Sequence, residues 1–154
     1  MKNAINIEDF KLVDSIILNG KVEYCDTHDE HSSTIGIKMY TTTKKLNGTV
    51  IETCVGQFPF SKEMEEKCGW SRKYASIQML TGNTPIDLDH INETKIVSMI
   101  GEVESRYYHR YSDYTGYLWT EEGFICGGHD LLKILRSHLN EYIHIEIELY
   151  KKCK

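Results

Sequence analysis

The C-terminal part of the chain most limits the fold. Five apolar residues follow Asp130 at helical spacing: Leu131, Leu132, Ile134, Leu135 and Leu139. We predict a helix that begins at the carboxylate of Asp130, buries this stripe and closes at Asn140. Residues 142–149 then alternate strictly, which predicts a strand with its isoleucines and Leu149 inward. Three polar residues of that strand are predicted to face solvent: His144, Glu146 and Glu148.

Two Asn-Gly pairs lie between runs of apolar and β-branched residues, at Asn19-Gly20 and Asn47-Gly48. Both residues of an Asn-Gly pair tolerate the positive φ of a type I′ turn, so each pair predicts a β-hairpin. We predict a third hairpin around Glu121-Glu122, between the strand-like segments 117–120 and 123–126.

The remaining elements are less regular. A short helix is predicted from Ser61, as N-cap, to Cys68, with Gly69 as its stop. Residues 74–80 predict a strand, and residues 95–111 a long strand with a bulge or bend at Gly101. Together these elements predict one α+β domain over residues 1–154. It is a mainly antiparallel, twisted sheet of hairpins with a short central helix, a C-terminal helix and a final strand. Whether the sheet closes into a barrel stays open.

Composition predicts a globular protein of the cytoplasm. Of the 154 residues, 40% are hydrophobic and 27% charged, which argues against disorder. The first residues lack the apolar segment of a signal peptide, and no apolar run is long enough to span a membrane. Five cysteines without an export signal predict reduced thiols. The net charge of −5 argues against a broad grip on duplex DNA.

Residues 106–119 are the best candidate for a recognition surface. They contain half of the ten tyrosines, one of the two tryptophans, two arginines and a histidine. Tyr, Trp and Arg dominate binding hot spots and base-stacking surfaces. The candidate contact residues here are Arg106, Tyr107, Arg110, Tyr111, Tyr114 and Trp119. The alternative is that these are ordinary strand residues, since Tyr and Trp are also favoured in sheets.

A second aromatic and cationic cluster consists of Trp70, Arg72 and Lys73. Such a cluster could stack and clamp a nucleotide beside residues 106–119. Its alternative is a strand edge that carries charges against aggregation.

Two fragments have the spacing of zinc ligands: Cys25-x-x-His28 and Cys126-x-x-His129. One thiolate and one imidazole from each would form a tetrahedral site, provided that the two fragments meet. The acidic residues around His28 favour a solvated loop instead, and a reduced cysteine at a strand end is commonly a small buried hydrophobe. We therefore predict neither a metal nor any other cofactor.

No motif in the chain establishes a catalytic chemistry. A nucleophile elbow, a P-loop and the glycine pattern of a dinucleotide-binding fold are all missing from the sequence. We therefore predict a binding protein rather than an enzyme.

The tail from Gly127 to Ile147 resembles the C-termini of small accessory proteins of phages and mobile elements. The resemblance covers about the last thirty residues, in which a capped helix precedes a final strand. It implies an inhibitor of host defence, comparable to an anti-CRISPR protein, that blocks a protein or ribonucleoprotein complex. Its alternative is a sponge that sequesters a signalling nucleotide. Self-association is also left open, and a small structural zinc module is the third alternative.

Overall fold

The computed structural model describes residues 9–26, 33–68, 72–90, 97–111 and 118–153, with the backbone alone for residues 90, 108–111 and 118–121. Its elements in chain order are β1 (Phe10–Asp26), β2 (Ser33–Lys44), β3 (Val50–Pro59), α1 (Phe60–Cys68), β4 (Lys73–Gly82), β5 (Val97–Tyr111), β6 (Leu118–Cys126), β7 (His129–Asp130), α2 (Leu131–Ser137) and β8 (Tyr142–Lys152). A 3-10 turn at Leu88–His90 lies between β4 and β5.

The eight strands form one antiparallel sheet in the order β3-β2-β1-β8-β4-β5-β6-β7. Strands β1 and β8, far apart in sequence, are paired at its centre from Phe10↔Lys152 to Lys21↔Tyr142. The antiparallel sheet with two short helices confirms the outline of the predicted fold. Strands nevertheless dominate more than an α+β description implies.

One hydrophobic core lies between one face of the sheet and both helices. Strand β8 contributes four fully buried residues to it: Ile143, Ile145, Ile147 and Leu149. Helix α2 contributes Leu131, Leu132 and Leu135, and α1 contributes Phe60 and Met64. The predicted alternation of β8 and the helical stripe as far as Leu135 are therefore confirmed. Helix α2 ends at Ser137, earlier than predicted, so Leu139 lies beyond it and is 37% exposed.

The sheet curls around the helices. Helix α1 contacts β2 and β3 near one end of the strand order, and β5 and β6 near the other end. In a flat sheet β2 and β5 would lie roughly 19 Å apart, whereas a nine-residue helix is only about 13 Å long. Within the described residues no pairing joins β3 to β6 or β7, so there the curled sheet stays open rather than closing into a barrel.

The predicted hairpin at Asn19-Gly20 is wrong. Strand β1 continues through this pair, with Asn19 opposite His144 and Gly20 opposite Ile143. A Cβ on Gly20 would lie 2.1 Å from the carbonyl oxygen of Lys38, so the glycine admits the close approach of β2. The hairpin predicted at Asn47-Gly48 is confirmed, since the pair joins β2 to β3. Only Gly48 of the pair has positive φ, +87°, so the turn is not of type I′.

The predicted hairpin around Glu121-Glu122 is also wrong. Strand β6 runs unbroken from Leu118 to Cys126 and pairs along its length with β5. The carboxylate of Glu122 is held inward by hydrogen bonds from Ser61 and Arg136. These bonds stabilise Glu122, a polar residue of a type common in turns, within a strand.

The helix ends agree with the predictions in part. Helix α1 begins at Phe60, and Ser61 is a fully buried residue within it rather than its N-cap. Gly69 lies outside the described residues. For α2 the capping prediction is confirmed, because the backbone N–H of Lys133 donates to Oδ1 of Asp130 at 3.2 Å. Within the described ranges no helix is long and apolar enough to cross a membrane.

His144 departs from the predicted pattern. It lies on the face of β8 away from the core, as its even position requires, yet only 6% of its surface is exposed. Leu80 on β4 and Asn19 on β1 lie directly across from it. Its Nε2 lies 2.9 Å from Oε2 of Glu146, so this ring nitrogen has a carboxylate as its hydrogen-bond partner.

Candidate functional site

Strands β5 and β6 continue beyond the sheet that β4 covers. The pairing of β4 with β5 ends at Lys73↔Val103, whereas β5 and β6 stay paired as far as Tyr111↔Leu118. Residues 104–111 and 118–125 therefore form a two-stranded extension, which we call the β5–β6 ribbon. Most of the recognition stretch predicted from the sequence lies in this ribbon.

Arg106 and Tyr107 lie on opposite faces of the ribbon, because successive side chains of a strand alternate. Arg106 is exposed and packs over Gly123, where a Cβ would lie 2.9 Å from Nε of the arginine. Tyr107 is half-buried and pairs in register with Glu122. The two neighbours in sequence therefore do not share one contact surface.

The backbone register brings other candidate residues together. Arg110 pairs directly with Trp119, and Tyr111 pairs with Leu118. Directly paired residues of antiparallel strands have Cβ atoms roughly 5 Å apart. Arg110 and Trp119, nine positions apart in sequence, are thus neighbours across the ribbon. Tyr114 lies outside the described residues.

Arg72 and Lys73 lie at the base of the ribbon. Lys73 pairs with Val103, three residues before Arg106, which places these two members of the second predicted cluster near the start of the ribbon. Nε of Arg72 is 2.9 Å from Oε1 of Glu102 on the exposed surface. A phosphate bound at Arg72 would therefore compete with that carboxylate. Trp70 lies outside the described residues.

The two candidate zinc fragments are only partly described, because His28 lies outside the described residues. Cys25 and Cys126 are both fully buried, and their thiols donate to the carbonyl oxygens of Ile37 at 3.7 Å and Ala75 at 3.6 Å. Burial raises the pKa of each thiol to about 11, which disfavours the thiolate that zinc requires. His129 is exposed and pairs in register with Cys126.

No group of three or more His, Cys, Asp or Glu side chains within the described part of the chain is placed to hold a metal ion. The thiols of Cys25 and Cys126 instead each have a backbone carbonyl as partner. Cys25 and Cys126 are therefore packed in the way that small hydrophobic residues are.

A half-buried carboxylate joins both helices to the sheet. Oε2 of Glu122 accepts from the hydroxyl of Ser61 at 3.3 Å, and its Oε1 accepts from Arg136 at 2.9 Å. Burial raises the pKa of Glu122, and the positive charge of Arg136 partly offsets this effect. The sequence analysis missed this network because it placed Glu122 in a turn.

A pocket of about 580 Å³ lies between β3 and the first turns of α1. Four consecutive residues of β3 line it, from Cys54 to Gln57, together with Pro59 and Asp26. Helix α1 contributes Lys62, Glu63 and Glu66. We call this feature the β3–α1 groove.

Comparisons with protein-family models, with curated proteins and with solved structures found no match to the chain. Function is therefore argued from the geometry of the described residues. Two surfaces stand out in that geometry. One is the β5–β6 ribbon with its paired arginine and tryptophan, and the other is the β3–α1 groove.

Proposed function

We propose that this chain is a non-enzymatic binding protein that engages a protein or ribonucleoprotein partner through the β5–β6 ribbon. The observation that carries the proposal is the register pair Arg110↔Trp119 on strands that extend beyond β4. Arg and Trp are the residues most enriched in binding hot spots, and a directly paired Arg and Trp concentrates both. Exposed Arg106, nearer the base of the ribbon, would extend the contact.

The state of the thiols supports a binding role over covalent catalysis. Three of the five cysteines are buried, and burial raises the pKa of Cys25, Cys68 and Cys126 to about 11. A catalytic thiol needs the opposite, a lowered pKa and access for substrate. These three residues contribute to the packing of the domain instead.

The class of partner follows from the resemblance of the C-terminal tail to small phage and mobile-element proteins. We infer a partner in the host cytoplasm that belongs to a defence system and loses activity when the ribbon covers its working surface. The net charge of −5 supports a protein or ribonucleoprotein partner over bare duplex DNA.

The test is binding by ribbon variants of the whole chain. The partner is first captured from host lysate by the wild-type protein and identified, and affinities are then measured with the purified partner. The double variant Arg110→Ala/Trp119→Ala should bind about tenfold or more weakly, with an unchanged thermal melt. A matched control, Lys11→Ala/Tyr24→Ala, removes an exposed cation and an exposed tyrosine from β1 and should bind normally. Normal binding by the ribbon variant would overturn the proposal.

A nucleotide sponge is the second candidate, favoured by the position of Arg72 and Lys73 beside the ribbon. Purified protein is denatured and the released small molecules are analysed by mass spectrometry and ultraviolet absorbance. A nucleotide in near-stoichiometric amount would favour the sponge. Absence of a released nucleotide, together with no heat on titration with a panel of cyclic nucleotides, would eliminate it.

A further inference from the structure

Strands β2 and β3 continue as an exposed hairpin beyond the point where β2 separates from β1. The pairing of β1 with β2 ends at Lys21↔Lys38, whereas β2 and β3 stay paired as far as Lys44↔Val50. Every residue from Thr41 to Val55 is exposed, so neither face of this hairpin is buried against the rest of the domain. We call residues 41–55 the β2–β3 arm.

The tip of the arm is both apolar and basic. Leu46 lies in the turn that the N–H of Gly48 closes on the carbonyl oxygen of Lys45 at 2.9 Å, and its side chain is fully exposed. Neither Lys44 nor Lys45 has a carboxylate partner among the described residues. From Thr41 to Ile51 the arm contains no acidic residue, although the whole chain has a net charge of −5. The tip therefore presents an aliphatic side chain beside two unpaired positive charges.

The base of the arm is anchored to the sheet. A bulge at Val55 bends β3 there. Farther along the arm, the carboxylate of Glu52 accepts from Lys21 at 3.0 Å and from the hydroxyl of Tyr142 at 3.1 Å. Because these contacts order the arm in advance, docking of its tip has to order fewer residues and costs less conformational entropy.

The outer face of the sheet, away from both helices, has a patch of complementary chemistry. Ile17 of β1 is 64% exposed on this face and pairs directly with Glu146 of β8. Glu148, the next outward residue of β8, is also exposed, and Leu12 extends the apolar surface along β1 with 48% exposure. We call these four residues the β1–β8 patch.

The carboxylates of this patch have polar partners but no lysine or arginine among the described residues. Oε2 of Glu146 lies 2.9 Å from Nε2 of His144, and half of the Glu146 side chain is exposed. Glu148 has the hydroxyl of Tyr150 as its hydrogen-bond partner. Both carboxylates can therefore attract a cation from outside the chain.

We propose that the arm of one copy of this chain docks on the β1–β8 patch of a second copy, and that two copies exchange arms about a two-fold axis. Leu46 covers Ile17, and Lys44 and Lys45 meet the carboxylates of the patch. Both halves of the contact belong to this chain, yet within one copy they stay apart, since Leu46 and Ile17 are both exposed. A two-fold axis makes the same contact twice. The dimer does not use the β5–β6 ribbon and does not depend on the function proposed for it.

The first test is sedimentation of the purified full chain from about 1 to about 300 µM. We expect a monomer at the low end and a dimer at the high end, with dimerisation weakened as salt is raised. Leu46→Ser should weaken dimerisation about tenfold or more, because each dimer loses the apolar contact twice. Leu88→Ser removes an exposed leucine outside the arm and should dimerise as the wild type does.

Charge reversal tests whether the arm and the patch are partners. The arm variant Lys44→Glu/Lys45→Glu and the patch variant Glu146→Lys/Glu148→Lys should each stay monomeric at concentrations where the wild type is dimeric. An equal mixture of the two variants should form a heterodimer, because each arm then meets a patch of opposite charge.

Two further variants control for net charge and for folding. Glu66→Lys/Glu104→Lys makes the same change in net charge as the patch variant at exposed sites outside the arm and patch, and should dimerise normally. Glu148→Lys alone leaves the contact between Glu146 and His144 intact. It replaces the patch variant in the mixture if a thermal melt shows that the double variant does not fold.

Carbodiimide cross-linking locates the contact in the unaltered protein. An equal mixture of isotope-labelled and unlabelled copies should yield mixed-isotope peptides that join Lys44 or Lys45 to Glu146 or Glu148. The proposal is overturned by a wild-type chain that stays monomeric over the whole range, by reversed variants whose mixture does not associate, or by a dimer whose cross-links lie elsewhere.

Discussion

Gly101 of β5 and Gly127, which follows β6, lie against each other so closely that a Cβ on Gly101 would be 2.6 Å from the Cα of Gly127. Both have positive φ, +147° for Gly101 and +55° for Gly127. The N–H of Gly127 donates to the carbonyl oxygen of Glu102 at 3.0 Å. The turn between β6 and β7 is thereby packed onto β5. The bulge predicted as one possibility at Gly101 does not interrupt the pairing with β4, which continues in register through Ala75↔Gly101.

Gly101→Ala should destabilise the protein by about 2 kcal/mol or more, because it adds a backbone clash to a strained φ. Gly48→Ala is the matched control, since Gly48 also has positive φ, +87°, but has no atom within 4 Å of an added Cβ. It should cost only about 1 kcal/mol. Urea unfolding of both variants measures the difference, and equal losses would contradict the close contact.

Gly20→Ala tests the path of β1. In the observed strand its Cβ would lie 2.1 Å from the carbonyl oxygen of Lys38, so we expect a loss of about 2 kcal/mol. Gly82→Ala adds a Cβ whose nearest neighbour, the Cδ1 of Ile86, is 3.7 Å away, and should cost less than about 1 kcal/mol. If thermal melts show that Gly20→Ala is tolerated as well as Gly82→Ala, β2 does not pass close to Gly20.

Glu122 should give the protein a specific dependence on pH. Burial raises its pKa above the ordinary value of 4.5, so the folded state binds this proton more tightly than the unfolded state does. Its contribution to stability is complete below the unfolded pKa and is lost as pH rises through the folded pKa. As the pH rises from about 4 to about 7, the wild type should therefore lose stability that Glu122→Gln does not lose. The free energy of unfolding of the variant minus that of the wild type should become more positive over this range.

Arg136→Met is the complementary variant, because it leaves the carboxylate of Glu122 half-buried without its cation. It should lose stability at neutral pH and recover much of the loss near pH 4, where Glu122 is protonated. Urea titrations at both pH values test the pair of variants. Differences from wild type that stay constant with pH would show that Glu122 is not the group responsible.

Thiol reactivity should divide the cysteines into two classes. Cys54 and Cys153 are exposed, whereas Cys25, Cys68 and Cys126 are buried with pKa values raised to about 11. Iodoacetamide near neutral pH should therefore modify the first two in the folded protein, and all five in urea. Peptide mapping by mass spectrometry identifies the sites. Rapid native labelling of Cys126 would contradict the described packing of β6.

The sequence predicted the fold best where local chemistry and tertiary packing agree. The carboxylate of Asp130 caps α2, and Ile143 to Leu149 alternate as a strand with one face in the core. Asn47-Gly48 forms its turn in an exposed segment, where an added Cβ on Gly48 would have no described atom within 4 Å. In these places a short window of sequence contains the physical reason for the structure.

The predictions failed where a distant strand decides the outcome. Gly20 is a glycine because Lys38 passes close to it, and Glu122 lies in a strand because Ser61 and Arg136 supply its partners. His144 is buried although its position faces away from the core. None of these contacts can be recognised from the sequence around the residue.

The candidate sites show the same division. Sequence alone placed Arg106, Tyr107, Arg110 and Trp119 in one candidate surface. Alternation puts Arg106 and Tyr107 on opposite faces, whereas the β5–β6 register pairs Arg110 directly with Trp119. The β3–α1 groove had no signal in the sequence beyond a β-branched strand followed by an acidic helix. It forms only because the fold brings the end of β1 beside β3 and the first turns of α1.

The pairing of β1 with β8 also determines when the sheet can be completed. Phe10 pairs with Lys152 and Lys21 with Tyr142, so the two central strands meet only after all the strands between them in sequence have been synthesised. Until then β1 and β4 both lack the neighbour that lies between them in the finished order. Closing so long a loop is entropically costly and makes folding slow. Before they pair with β8, β1 and β4 each present an open strand edge on the nascent chain. A chaperone would contribute most during that period.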